Sequence, residues 1–144
     1  MSVVLDFVGD PTAFLAGART HIHALREGGS LSGNRLTTLL SAAVDNTIRG
    51  LFQRTVADGV LSAERARDGV CLVAVGGYAR KVLCPHSDID LLLVSDGAGP
   101  DGELEDLAQR VLYPLWDSKL QVGHFVGSVD EILAQGDGDP ARQT

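Results

Sequence analysis

The feature that most constrains this chain is a change of hydrophobic period at Val70. Upstream, apolar residues recur at helical spacing; from Val70 onward they come in short unbroken runs. Val70-Cys71-Leu72-Val73-Ala74-Val75 predicts a strand buried on both faces, ended by Gly76-Gly77. A turn-like stretch closes with Cys84-Pro85-His86-Ser87. Asp88-Ile89-Asp90-Leu91-Leu92-Leu93-Val94 then predicts a second strand, ended by Ser95-Asp96-Gly97. A helix from Glu103 to about Trp116 leads to a third strand over Leu120–Val126. A short helix over Ser128–Ala134 follows, opened by a Ser-Val-Asp-Glu capping box. Helices followed by strands with an intervening helix predict an α/β or α+β sheet domain.

The upstream part reads as helical. Asp10-Pro11 supplies an N-cap and a proline at the first helical position. Phe14, Leu15, Ala18, Ile22 and Leu25 follow at helical spacing until Gly28-Gly29. A second helix begins at Ser32 to Asn34 and ends near Gly59. Its apolar face is Leu36, Leu39, Leu40, Ala43, Val44, Ile48, Leu51, Phe52 and Val56. His21 and His23 stand two apart on the first helix and point to different faces, so they read as solvated or capping residues rather than a metal pair. The chain therefore divides into a helical segment over 1–60 and a sheet-bearing core over 68–144, with no internal repeat.

A length of 144 residues suits one domain. With 12 basic against 19 acidic residues the net charge is −7, which disfavours general phosphate neutralisation and hence a nucleic-acid partner. It leaves room for a small-molecule phosphate site, which needs only local cations and a metal. Cys71 and Cys84 form no CxxC pair and read as reduced structural cysteines, not a disulfide scaffold or zinc site. Asp6 interrupts the short apolar run at the N-terminus and no basic stretch precedes it, so it is not a signal peptide. No apolar run is long enough to span a bilayer, and the expected address is the cytoplasm.

Chemistry concentrates in GGYARKVLCPHSDIDLLL, residues 76–93. Asp88 and Asp90 flank Ile89, so strand alternation puts both carboxylates on one face, their Cα atoms roughly 6.6 Å apart at about 3.3 Å per residue. Two like charges at that distance repel by about 2.5 kcal/mol at an effective dielectric of 20. A strand has no structural need for such a pair, and a divalent metal removes the conflict; Mg²⁺ favours carboxylate oxygens completed by substrate phosphates. A bare DxD also caps turns and faces solvent at sheet edges, so its neighbours decide. Gly76-Gly77 permits close backbone approach to a phosphate, Arg80 offers a forked cation, and Ser87 places a hydroxyl beside the metal candidate. The pattern is neither a GxxxxGK[ST] phosphate loop nor a GxGxxG dinucleotide turn.

At these residues the sequence resembles a known family. GGYARKVLCPHSDIDLLL, followed by LYPLWDSKLQVGH, looks like the N-terminal nucleotidyltransferase domain of bacterial PII uridylyltransferases, members of the DNA polymerase β-like superfamily. The resemblance implies an α+β polymerase β-like core, a small mixed sheet with helices, behind an α-helical N-terminal segment. It implies that Asp88 and Asp90 bind catalytic Mg²⁺, that Gly76, Gly77 and Ser87 line the triphosphate, and that Arg80 is its cation. The implied reaction moves UMP from UTP, or another NTP, to a tyrosine of the PII nitrogen-signalling protein and releases pyrophosphate. The metal would polarise the α-phosphate and neutralise the leaving group.

Several positions depart from the family pattern GGYGRGEL. Here Ala79, Lys81, Val82 and Leu83 occupy that frame, costing two glycines and a glutamate. Phe125-Val126-Gly127 stands where the family tends to have SVR after Gly123-His124, so its arginine is absent. Superfamily sites generally use a third carboxylate, for which Asp137 and Asp139 are weak candidates. The chain reads as a fragment or truncated homologue, without the family's hydrolytic and ligand-sensing domains. A non-catalytic remnant and a small-molecule nucleotidyltransferase are the competing readings. Elsewhere, Trp116 reads as a core anchor, His124 as a packed strand residue, His86 as a loop-stabilising residue and Asp117 as a helix end cap. The Asp101, Glu103, Glu105, Asp106 cluster reads as charge suited to a helix N-terminus.

Overall fold

The computed structural model describes residues 11–29, 32–80, 88–118 and 120–138. Helix α1 (Pro11–Glu27) ends at Gly28-Gly29, as its spacing predicts; Leu15, Ala18 and Ile22 are buried and Leu25 is half-buried. The Asp10 cap lies outside the described residues. Helix α2 (Gly33–Ala57) starts where Ser32 accepts a bond from the Arg35 N–H, the N-cap role that short hydroxyl side chains favour. It buries Leu40, Ala43, Val44, Ile48 and Leu51. Its buried threonines, Thr47 and Thr55, donate to the Ala43 and Leu51 carbonyls one turn back, each at 2.8 Å.

A short helix, α3 (Ala63–Asp68), capped by Ser62, was not foreseen from the sequence. It buries no residue, so it carries no apolar period to read. Strand β1 (Val70–Val75) leads into a single helical turn, α4 (Gly76–Ala79), where only a turn-like stretch was expected. Strand β2 (Ile89–Ser95) runs antiparallel to β1, pairing Val75 with Asp90 and Val70 with Ser95. The chain crosses through helix α5 (Glu103–Asp117) to strand β3 (Val122–Ser128), which pairs parallel to β2. A parallel neighbour requires such a crossover. Helix α6 (Val129–Gly138) is opened by the expected capping box: Glu131 N–H donates to Ser128 Oγ and Ser128 N–H to a Glu131 carboxylate oxygen.

The described residues thus form an α+β fold with a three-stranded mixed sheet in the order β1-β2-β3, preceded by helices. Residues of β2 alternate strictly between buried and half-buried. Ile89, Leu91 and Leu93 join Leu107, Val111, Leu112 and Leu115 of α5 and the apolar stripe of α2 in one core. Asp90, Leu92 and Val94 occupy the other face, which is half-open.

Four expectations fail here. The first strand is not buried on both faces: β1 is an edge strand, and its alternate residues Cys71 and Val73 are exposed. Cys71 is therefore a free, exposed thiol rather than a structural core residue; Cys84 lies outside the described residues. Trp116 does not anchor the core. It is 38% exposed and rests between Tyr113, at 5.6 Å between ring centroids, and His124, at 5.3 Å edge-on. His124 is accordingly an exposed residue braced by an aromatic neighbour. None of the described helices is long and apolar enough to cross a membrane.

Candidate nucleotide site

Asp90 is the best-defined member of the site. As the second residue of β2 it is flanked by Val75 on one side and Gly123 on the other. Both flanking segments leave room for its carboxylate. A Cβ on Gly76 would stand 3.0 Å from Oδ2, and one on Gly123 would stand 2.5 Å from Oδ1. Gly76 also has φ +65°, a conformation side-chain-bearing residues rarely adopt, so space and backbone both select glycine there. Asp88 stands exposed just before the strand, two residues away. Ile89 between them is buried, and its N–H donates to the Gln121 carbonyl at 2.9 Å, which fixes the strand's start.

No ion pair to Asp88 or Asp90 is found among the described residues, whereas Asp58, Asp68, Asp96 and Glu103 each meet an arginine. Asp90 on the open face of β2 and Asp88 exposed just before it are hard oxygen donors with no ion pair among the described residues, a donor type that suits Mg²⁺, which binds one or two carboxylates and fills its remaining positions with phosphate oxygens and water. The described residues hold no cluster of three or more His, Cys, Asp or Glu that could enclose a metal. Asp137 falls in the last turn of α6, and Asp139 lies outside the described residues.

The other sequence candidates are placed unevenly. Gly76 meets Asp90 directly, and Gly77, half-buried, continues the same turn. Arg80 closes α4 as its C-cap and is exposed; no contact between its side chain and either aspartate is found. Ser87 and His86 lie outside the described residues, as do Lys81, Val82 and Leu83. Ala79, where the family turn has glycine, sits in the helical turn α4, a backbone conformation open to any residue. That loss of glycine carries no backbone penalty.

The turn is tied down from below. Tyr78, its one buried side chain, donates a hydrogen bond from its hydroxyl to Asp45 Oδ1 on α2. Burial first, and the Asp45 acceptor second, push the phenol's pKa well above the ordinary tyrosine range, so it stays a donor. Neither Gly123 nor the Asp45–Tyr78 pair was singled out from the sequence. Gly123 follows only once the parallel pairing is known. Asp45 left a faint signal as a carboxylate next to Val44 in the apolar stripe of a long helix.

Glycines at a strand's end, a turn pressed on the Asp90 carboxylate, and Asp88 two residues away make up the candidate site. Residues 59–122 match the nucleotidyltransferase domain family. Proteins named bifunctional uridylyltransferase/uridylyl-removing enzyme are similar over more of the chain. The one from Pseudomonas putida (strain F1) is 37% identical over 139 residues, covering 91% of this chain and 15% of that protein. The one from Streptomyces coelicolor is 38% identical over 109 residues, or 76% of this chain and 12% of its own length. The one from Mycobacterium tuberculosis (strain H37Rv) is 42% identical over 71 residues, 49% of this chain and 9% of that protein. The resemblance carried by the glycine turn and the SDIDLLL strand is thereby borne out, and this chain spans less than a sixth of these relatives. No solved structure matches it.

Proposed function

We propose that this chain transfers UMP from UTP to a tyrosine of the PII nitrogen-signalling protein, with Mg²⁺, releasing pyrophosphate in the cytoplasm. The domain doing so is residues 68–144, with 1–60 as its helical support. The reading rests on one observation: on the open face of β2 the Asp90 carboxylate lies between two glycines, with Asp88 exposed two residues before it and no ion pair to either among the described residues. Asp88 and Asp90 would hold the metal, which supplies charge neutralisation at the phosphates when bound. Gly76 and Gly77 leave the backbone open to the triphosphate. Arg80, at the C-cap of the turn, would add charge, and Ser87 would supply a hydroxyl donor. The acceptor oxygen attacks the α-phosphorus as the bond to the β-phosphate oxygen breaks, so the chain's residues have only to align the two reactants and tolerate the charge.

The test is a transfer assay with α-labelled UTP, Mg²⁺ and PII, beside an ATP arm. Label on PII with release of pyrophosphate, lost in Asp90→Asn, is the expected result. A folded chain that labels nothing and binds neither nucleotide would instead be a non-catalytic remnant.

A further inference from the structure

Three features outside the two aspartates invite explanation: the aromatic stack of Tyr113, Trp116 and His124, the groove beside α2, and the Tyr78–Asp45 hydrogen bond that closes one end of that groove. The last two belong together. A cavity of about 470 Å³ lies between α2 and the edge strand β1, lined by Ile48, Phe52 and Leu72 among others, with Asp45 and Tyr78 in its wall. The glycine turn α4 therefore has open space on that side, where close-packed side chains would otherwise hold it. Tyr78 is 4% exposed and is the one buried side chain of the turn. A phenylalanine would fill the same space. The hydroxyl adds a directed bond across 33 residues of sequence to a half-buried carboxylate. Burying two polar groups to form one bond is a poor way to gain stability, and its distinct effect is to fix one geometry. The geometry fixed is that of Gly76, two residues earlier, against Oδ2 of Asp90.

We propose that Asp45 and Tyr78 are positioning residues: acting through the α4 turn, they hold Gly76 and Gly77 at the distance from Asp90 that a metal-bound triphosphate requires. The proposal rests on the nucleotidyl-transfer reading above. Neither side chain touches substrate in it. Asp45 sets the acceptor, Tyr78 transmits the constraint, and the glycines meet the phosphate.

Amide hydrogen exchange on the ligand-free full chain tests the mechanical half. The Arg80 N–H, which bonds back to the Gly76 carbonyl at 3.4 Å, reports the turn, and α5 serves as the reference. Tyr78→Phe and Asp45→Ala should each speed exchange at Arg80 by about tenfold or more while α5 is unchanged. The double variant should be no faster than either single one. Asp45→Asn, which keeps an oxygen acceptor, should recover most of the protection. Unchanged exchange at Arg80 overturns the proposal, and so does a uniform loss of protection that includes α5, which would mark a general packing role. Should Tyr78→Phe lose the fold, the Asp45 variants carry the same comparison.

Calorimetric titration with UTP and Mg²⁺ tests the functional half. Affinity should fall by about tenfold to a hundredfold in Tyr78→Phe, as for residues that orient metal ligands, and recover in Asp45→Asn relative to Asp45→Ala. Faster Arg80 exchange with undiminished affinity overturns the positioning role. Binding by Asp90→Asn equal to that of the unaltered chain marks failure of the underlying site reading instead, and overturns the functional half with it.

Discussion

The two ends of β2 both carry carboxylates, and the fold treats them in opposite ways. Beyond its C-terminal end, Asp96 and the buried Glu103 share one guanidinium. Arg65 Nη2 donates to Asp96 Oδ1 at 2.8 Å and to Glu103 Oε1 at 3.0 Å, while its Nε reaches both Glu103 oxygens. The network draws α3, the loop after β2 and α5 together. At the N-terminal end, Asp88 and Asp90 stand two residues apart, and no such cation is found among the described residues. Neutralised acids are part of the architecture. Acids left close together without a cation would cost the fold stability, a cost that a metal bound as proposed above would remove. The contrast also assigns a structural role to Glu103, which the sequence places merely among charges suited to a helix N-terminus.

The largest effect should fall on function at the unneutralised end. Asp90→Asn should abolish nucleotidyl transfer, while the double variant with Asp88→Asn keeps or raises the melting temperature, because it removes two like charges that have no ion pair among the described residues. Calorimetric unfolding beside the transfer assay separates the two. A marked drop in melting temperature would place these carboxylates in the architecture after all.

Arg65→Ala should give the largest stability loss of the arginine substitutions, because Glu103 stays buried without its partner. Arg110→Ala, which removes an exposed pair with Asp58 at 2.9 Å, should cost no more than about 1 kcal/mol. Equal losses in denaturant titration would erase the distinction between the buried network and a surface pair.

Gly123→Ala should leave the fold standing but push the Asp90 carboxylate aside, weakening Mg²⁺-dependent nucleotide binding by about tenfold or more. Unaltered binding would show that the close approach of the glycine is incidental.

The smallest effect concerns acid. The Arg65 guanidinium, with the Ala98 N–H, holds the Asp96 carboxyl down to about 2 from an ordinary 3.8. Its contribution is therefore fully present above pH 3.8 and is lost as pH falls toward 2. Stability measured across that window should fall less steeply in Asp96→Asn, and an identical slope would count against the pairing.

Much of this was legible in the sequence, for identifiable reasons. Long helices and strands announced themselves by period, and the capping box at Ser128 by its own spacing. The place of Asp90 on the open face of β2 was legible because alternation is a local property of a strand, whereas Asp88, expected on the same strand, falls just before it. What stayed hidden depends on distant partners. The pairing of β2 with β3 brings Gly123 to Asp90, and Arg65 reaches Glu103 across 38 residues from a helix with no apolar face. Trp116 misled because a large aromatic usually enters a core; here it lies against the edge strand, beside His124, with Tyr113 one turn back. Val70–Val75 misled because an unbroken apolar run does not reveal that its strand stands at an edge.

The most direct test of the unneutralised carboxylate site is calorimetric titration of the full chain with UTP and with ATP, each with and without Mg²⁺, repeated on the Asp88→Asn, Asp90→Asn double variant. Binding that requires Mg²⁺, favours UTP and vanishes in a double variant that remains folded is the predicted result. Binding that ignores the metal, or survives loss of both carboxylates, would contradict it.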